Sequence, residues 1–106
     1  MIQAMTRMAV ADYSKLQPRI GYSIKIDENE IALFKTTSGK VFALENKSPH
    51  PKGGVLSEGL ISGEYVYCPV YDWKISLADG AVQAPDEGQV KTYQTEVEGD
   101  TIYIVL

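Results

Sequence analysis

Three observations predict an all-β fold, an antiparallel β-sandwich or small barrel: apolar residues alternate with a period of two along several short runs, Gly-containing turns separate those runs, and a single short stretch looks helical. A chain of 106 residues has room for one hydrophobic core, so one domain spanning 1–106 is expected. Eight or nine short strands would fill it.

The runs follow in chain order. "DYSKLQP" (12–18) suggests one helical turn, with Asp12 as N-cap and Pro18 as stop. Ile20, Tyr22, Ile24 and Ile26 define a buried face, leaving Gly21, Ser23 and Lys25 to water. "DENE" turns the chain into "IALFK" (31–35), and Ser38-Gly39 turns it again into "VFALE" (41–45), which makes a three-stranded meander. Further on, "YVYC" ends at Cys68, and "WKISL" puts Trp73, Ile75 and Leu77 on one face before the turn "ADG". "TYQTEV" and "TIYIVL", joined through Glu98-Gly99-Asp100, form a closing hairpin.

Composition narrows the function. With 14 acidic and 10 basic residues the net charge is −4, so no basic stripe exists to neutralise phosphates or anionic lipid, and neither nucleic acid nor a membrane is an expected partner. The only cysteine is Cys68, which rules out an intramolecular disulfide and fits a reducing cytoplasm. "MIQAMTRMAV" lacks the continuous apolar segment of a signal peptide, and nothing later has the length of a membrane-spanning helix.

The chemistry-bearing residues gather in "SPHPKGGVLSEGLISGEYVYCPVYDWK" (48–74). Ser48 and His50 stand at one end, Cys68 and Tyr71 at the other, with 17 residues between His50 and Cys68. This spacing, S-x-H … C-x-x-Y, resembles the Rieske ligand frame C-x-H … C-x-x-H. A Pro after each first ligand position, Gly53-Gly54, "LSEG" and the Trp-containing strand before Asp79-Gly80 match as well. The resemblance implies a Rieske-like β domain with a cluster-type subdomain of two facing loops at about 46–82. A Rieske centre takes two thiolates on one iron and two imidazoles on the other. Here a hydroxyl stands at position 48 and a phenol at position 71, so each iron would lose one protein ligand, and no [2Fe–2S] centre is expected.

That departure makes the chain similar to the small subunit of NAD(P)H-dependent nitrite reductase, a Rieske-like domain with incomplete cluster ligands. The resemblance implies an accessory, non-catalytic role in an assimilatory oxidoreductase of nitrogen metabolism. Its partner would be a large subunit carrying FAD, siroheme and an iron–sulfur centre and reducing nitrite to ammonia. Two alternatives stay open: a Rieske-type [2Fe–2S] ferredoxin, and a stand-alone cluster-free binding or regulatory module.

Blander readings apply to most other polar candidates. His50 is expected on the surface of a polar loop, and Cys68 in a packing role. A zinc site from His50, Cys68 and Asp72 lacks the usual fourth ligand. Gly53-Gly54 is assigned to backbone clearance beneath the facing loop, and Trp73, Tyr65 and Tyr67 to the core. Asp86-Glu87 and the pair Glu96 with Glu98 read as solvated carboxylates, with no catalytic residue among them. Tyr71 is expected to fill the vacated cluster space against Pro49 or Pro51, its hydroxyl meeting Ser48 or a backbone group. The partner-facing patch is placed at the loop tips: Pro51, Lys52, Val55 and Leu56 from one loop, with Val70, Tyr71 and Asp72 from the other.

Overall fold

A computed structural model describes residues 6–50, 53–69 and 72–105 of the chain. These hold nine strands and two single-turn 3-10 helices. In order they are β1 (Arg7–Asp12), η1 (Tyr13–Lys15), β2 (Gly21–Ile26), β3 (Asn29–Lys35), β4 (Val41–Glu45), η2 (Leu56–Glu58), β5 (Leu60–Ser62), β6 (Tyr65–Tyr67), β7 (Lys74–Ser76), β8 (Thr92–Glu98) and β9 (Thr101–Val105). Six strands make an antiparallel sheet in the order β1-β9-β8-β4-β3-β2, and β5-β6-β7 make a second, smaller one.

The run "IALFK" explains how the two sheets are joined. Ile31, Ala32, Leu33 and Phe34 are each fully buried, although successive side chains of a strand point to opposite faces. Ile31 and Leu33 pack with Leu16, Ile26, Ala43, Ile102 and Ile104 inside the curled six-stranded sheet. Ala32 and Phe34 point the other way, into a second core with Leu44, Leu56, Ile61, Val66, Cys68, Ile75, Leu77 and Val90. Burying each large apolar side chain contributes about 1.5–3 kcal/mol, so β3 is cemented on both faces. The meander forms as expected, with Ile24 opposite Ile31 and Leu33 opposite Ala43.

Several details differ from the expectation. Within "DENE" only Asp27 and Glu28 turn, because β3 already begins at Asn29 and pairs it with Ile26. Ile20 precedes β2 and is 46 % exposed, so the buried face of that strand starts at Tyr22. Gly21 does not face water, because η2 lies over it so closely that any Cβ would collide with the backbone carbonyl of Ser57. Asp12 makes no side-chain cap to η1 and pairs with Lys15 at 3.3 Å instead. The cap comes from Asp100 in the distant β8–β9 turn, whose carboxylate accepts the Ser14 N–H and hydroxyl, each at 2.8 Å. Gly99 supplies the positive φ of +62° that the turn needs.

Strand β1 carries no clean alternation, since its pairing with β9 shifts between Ala9 and Ala11 and only its last residues reach the core. It also settles Glu96 and Glu98 as surface carboxylates: both accept hydrogen bonds from the Arg7 guanidinium, at 3.1 and 3.0 Å. Glu98, and after it Glu96, holds the Arg7 guanidinium above its ordinary range. No described helix is long and apolar enough to cross a membrane.

Candidate functional site: two facing loops

Asn46 anchors the first loop where it leaves β4. Its side chain is nearly buried. The amide nitrogen approaches Ser23 Oγ at 3.2 Å, Glu30 Oε1 at 3.1 Å and Ser57 Oγ at 3.0 Å, and its oxygen accepts the Ser57 N–H at 2.8 Å. One side chain therefore ties β2, β3 and η2 together. Beyond it, Ser48 N–H donates to Gly54 O at 3.0 Å, and Gly53 N–H to His50 O at 2.8 Å. Gly53 has φ +81° and nothing within 4 Å of where a Cβ would be. That left-handed backbone by itself calls for glycine; among the described residues nothing presses on the position.

The second loop leaves β6 at Cys68, whose N–H donates to Trp73 O at 2.9 Å and closes the loop at its base. The two loops meet through side chains. The Cys68 thiol donates to Ser48 Oγ at 2.9 Å, and the same oxygen accepts the His50 N–H at 3.2 Å. The His50 ring sits edge-on to Trp73, with centroids 4.7 Å apart and planes at 72°. Ser48 and Cys68 are 2 % and 0 % exposed.

Three of the four positions singled out from spacing, Ser48, His50 and Cys68, thus come together, while Tyr71 lies outside the described residues. Its expected contact with Ser48 is likewise outside them, although the Ser48 oxygen already has two donors. Cys68 has the packing role expected of it. Pro51, Lys52 and Val70 of the expected patch also fall outside the described residues. Of the remainder, Val55 is half-buried and Asp72 exposed, whereas Leu56 is fully buried in the second core. Its place in η2 turns the side chain inward, so Leu56 does not belong to a surface. Tyr65 and Tyr67 are half-buried, facing away from the buried Val66 between them, with the Lys74 ammonium 4.3 Å above the Tyr65 ring. They are not core residues, whereas Trp73 packs against the second core.

The donor set does not fit a Rieske centre. Donors about 2.1–2.3 Å from one tetrahedral ion stand roughly 3.4–3.8 Å apart, and Ser48 Oγ and Cys68 Sγ have closed to 2.9 Å in a direct hydrogen bond. A hydroxyl is also a far harder and less acidic donor than the thiolate the chemistry requires. His50, Cys68 and Asp72 do not gather into a zinc-type cluster: the described residues contain no group of three or more His, Cys, Asp or Glu placed to hold a metal ion.

Two loops facing each other from one end of a β domain, at this spacing, define a Rieske-type frame. The chain belongs to the Rieske-like [2Fe-2S] domain family, whose profile matches residues 7–105. It is 31 % identical over 100 residues to the nitrite reductase [NAD(P)H] large subunit of Klebsiella oxytoca, a match covering 91 % of this chain and 10 % of that protein. It is 27 % identical over 84 residues to the ferredoxin component of the naphthalene 1,2-dioxygenase system of Pseudomonas aeruginosa, covering 78 % of this chain and 79 % of that one. Among solved structures, one bearing the name nitrite reductase NADPH small subunit superposes with a TM-score of 0.83 at 28 % identity, covering 95 % of this chain and 99 % of its own. The chain spans about a tenth of the first of these relatives.

Proposed function

We propose that this chain is an accessory small subunit of an assimilatory NAD(P)H nitrite reductase, carrying no cluster of its own and supporting the reduction of nitrite to ammonia by a large flavin and siroheme subunit. The observation that carries the reading is the 31 % identity to a stretch making up 10 % of a nitrite reductase large subunit. That polypeptide includes a stretch similar to this domain, and a separate chain of the same kind is suited to dock beside such a large subunit. The Ser48–Cys68 hydrogen bond supports the cluster-free part, since both atoms are engaged with each other where an iron would need them apart.

Docking is assigned to the loop tips, with Val55 and Asp72 joined by Pro51, Lys52, Val70 and Tyr71. Leu56, buried in the second core, supports the first loop from inside. The second reading, a ferredoxin delivering electrons to an oxygenase, draws on the similarity to a dioxygenase ferredoxin of comparable length. It requires a cluster, which the donor set opposes.

Affinity purification of the tagged chain from its own cells, under native conditions, separates the two. The proposal expects a co-eluting large chain with siroheme absorption and NAD(P)H-dependent nitrite reduction. Co-elution with an oxygenase and no siroheme would contradict it. Truncating Val70 and Tyr71 to Ala together should weaken binding to the large subunit while leaving the domain folded. A titration of the double variant that matches wild type would remove this surface from consideration.

A further inference from the structure

We infer that a side-chain latch performs the cross-linking that metal performs in a cluster-bearing relative, so that the two loops keep their facing arrangement, and their ability to dock, without iron. The inference rests on the reading that this chain binds no cluster. In the described residues the latch has three parts. At its centre the Cys68 thiol donates to Ser48 Oγ at 2.9 Å, between two side chains that are almost wholly buried. Beside it the His50 and Trp73 rings pack in a T-shape across the loops, with centroids 4.7 Å apart. At the base Asn46 binds Ser57 through both ends of its amide and reaches Ser23 and Glu30 on the barrel.

Each part holds what a metal would otherwise hold. Coordination fixes the separation of two loops directly; here burial does so, because any shift that parts the thiol from the hydroxyl while both stay buried leaves each without a partner. Asn46 is the positioning residue, since it fixes where the first loop starts relative to β2 and β3 and thereby aims Ser48 at Cys68. A latch built from side chains alone has no metal for a chelator to strip. Loop order and affinity for the large subunit should therefore be indifferent to chelators.

Amide hydrogen exchange of the full chain tests this, with EDTA as the chelating probe and iron measured on the same samples. Wild-type exchange in residues 47–58 and 68–73 should be unchanged by EDTA. Ser48→Ala should speed exchange in both loops by roughly 10- to 100-fold, leave β8 and β9 protected, and weaken large-subunit binding in the same direction. Asn46→Ala should loosen residues 47–58 at least as much. Ser48→Cys treated with diamide, which takes one hydrogen from each thiol, should form a disulfide to Cys68 and return both loops to wild-type protection or better. Wild-type exchange in Ser48→Ala would overturn the latch, and so would a failure of Ser48→Cys to cross-link in folded protein. Stoichiometric iron lost to EDTA would instead overturn the cluster-free reading beneath it, so the two failures are distinguishable.

Discussion

Ser48 and Cys68 show how much one hydrogen bond can decide when both partners are buried. In water either group would be satisfied, and the net gain of pairing them would be about 1 kcal/mol; at nearly zero exposure an orphaned partner costs about 1–3 kcal/mol instead. The thiol–hydroxyl contact thus selects one arrangement of the two loops. Leu56 acts at the same scale through packing. Sitting at 0 % exposure among Phe34, Val66 and Cys68, it should cost about 2–5 kcal/mol when cut to Ala, as read from urea unfolding. Val55→Ala, one residue earlier and only half-buried, should cost less than half of the Leu56→Ala loss. Equal losses would put Leu56 back on the surface.

The elements differ in how far their residues announce them. Strands β2 and β9 could be read because one face is buried, which imposes a period of two. Strands β3 and β4 could be read because apolar residues run continuously into cores on both faces, and β8 from its alternation of half-buried and exposed residues before the Glu98–Asp100 turn. Strand β1 could not, because it is an edge strand with a register shift and mostly exposed side chains. Strand β5 is three residues long and turns Leu60 outward at 74 % exposure, so it offers no pattern. The helical turn at 13–15 was visible, but its cap was not, since Asp12 and Asp100 are chemically equivalent and only the fold brings Asp100 to Ser14. Asp100→Ala should therefore destabilise the chain by about 1 kcal/mol, while Asp12→Ala changes stability by a few tenths at most. Thermal melts of the two variants compare them directly, and a larger loss for Asp12 would reverse the assignment. Of the four loop positions, Tyr71 lies outside the described residues; Ser48, His50 and Cys68 were legible from their resemblance to a ligand spacing, and the fold brings these three together. The bond between two of them was not, because spacing along a chain does not give the distance across it.

At the scale of the whole molecule, two cores share β3, so the loop-bearing sheet is built onto the barrel and is not a loose appendage. The loops inherit that rigidity at their bases, through Asn46 on one side and the Cys68–Trp73 backbone bond on the other. On the proposed cluster-free reading, the pair of buried side chains, Ser48 and Cys68, keeps the loops facing each other without iron. The frame is then available for recognition, which is the role proposed beside a nitrite-reducing large subunit. The most direct measurement of that claim is the iron content of the chain purified anaerobically, taken together with its electron paramagnetic resonance spectrum after reduction. The account predicts colourless protein with far less than stoichiometric iron and no signal. A reddish-brown preparation holding about two irons per chain, with a reduced-state signal, would contradict it and make the chain an electron carrier.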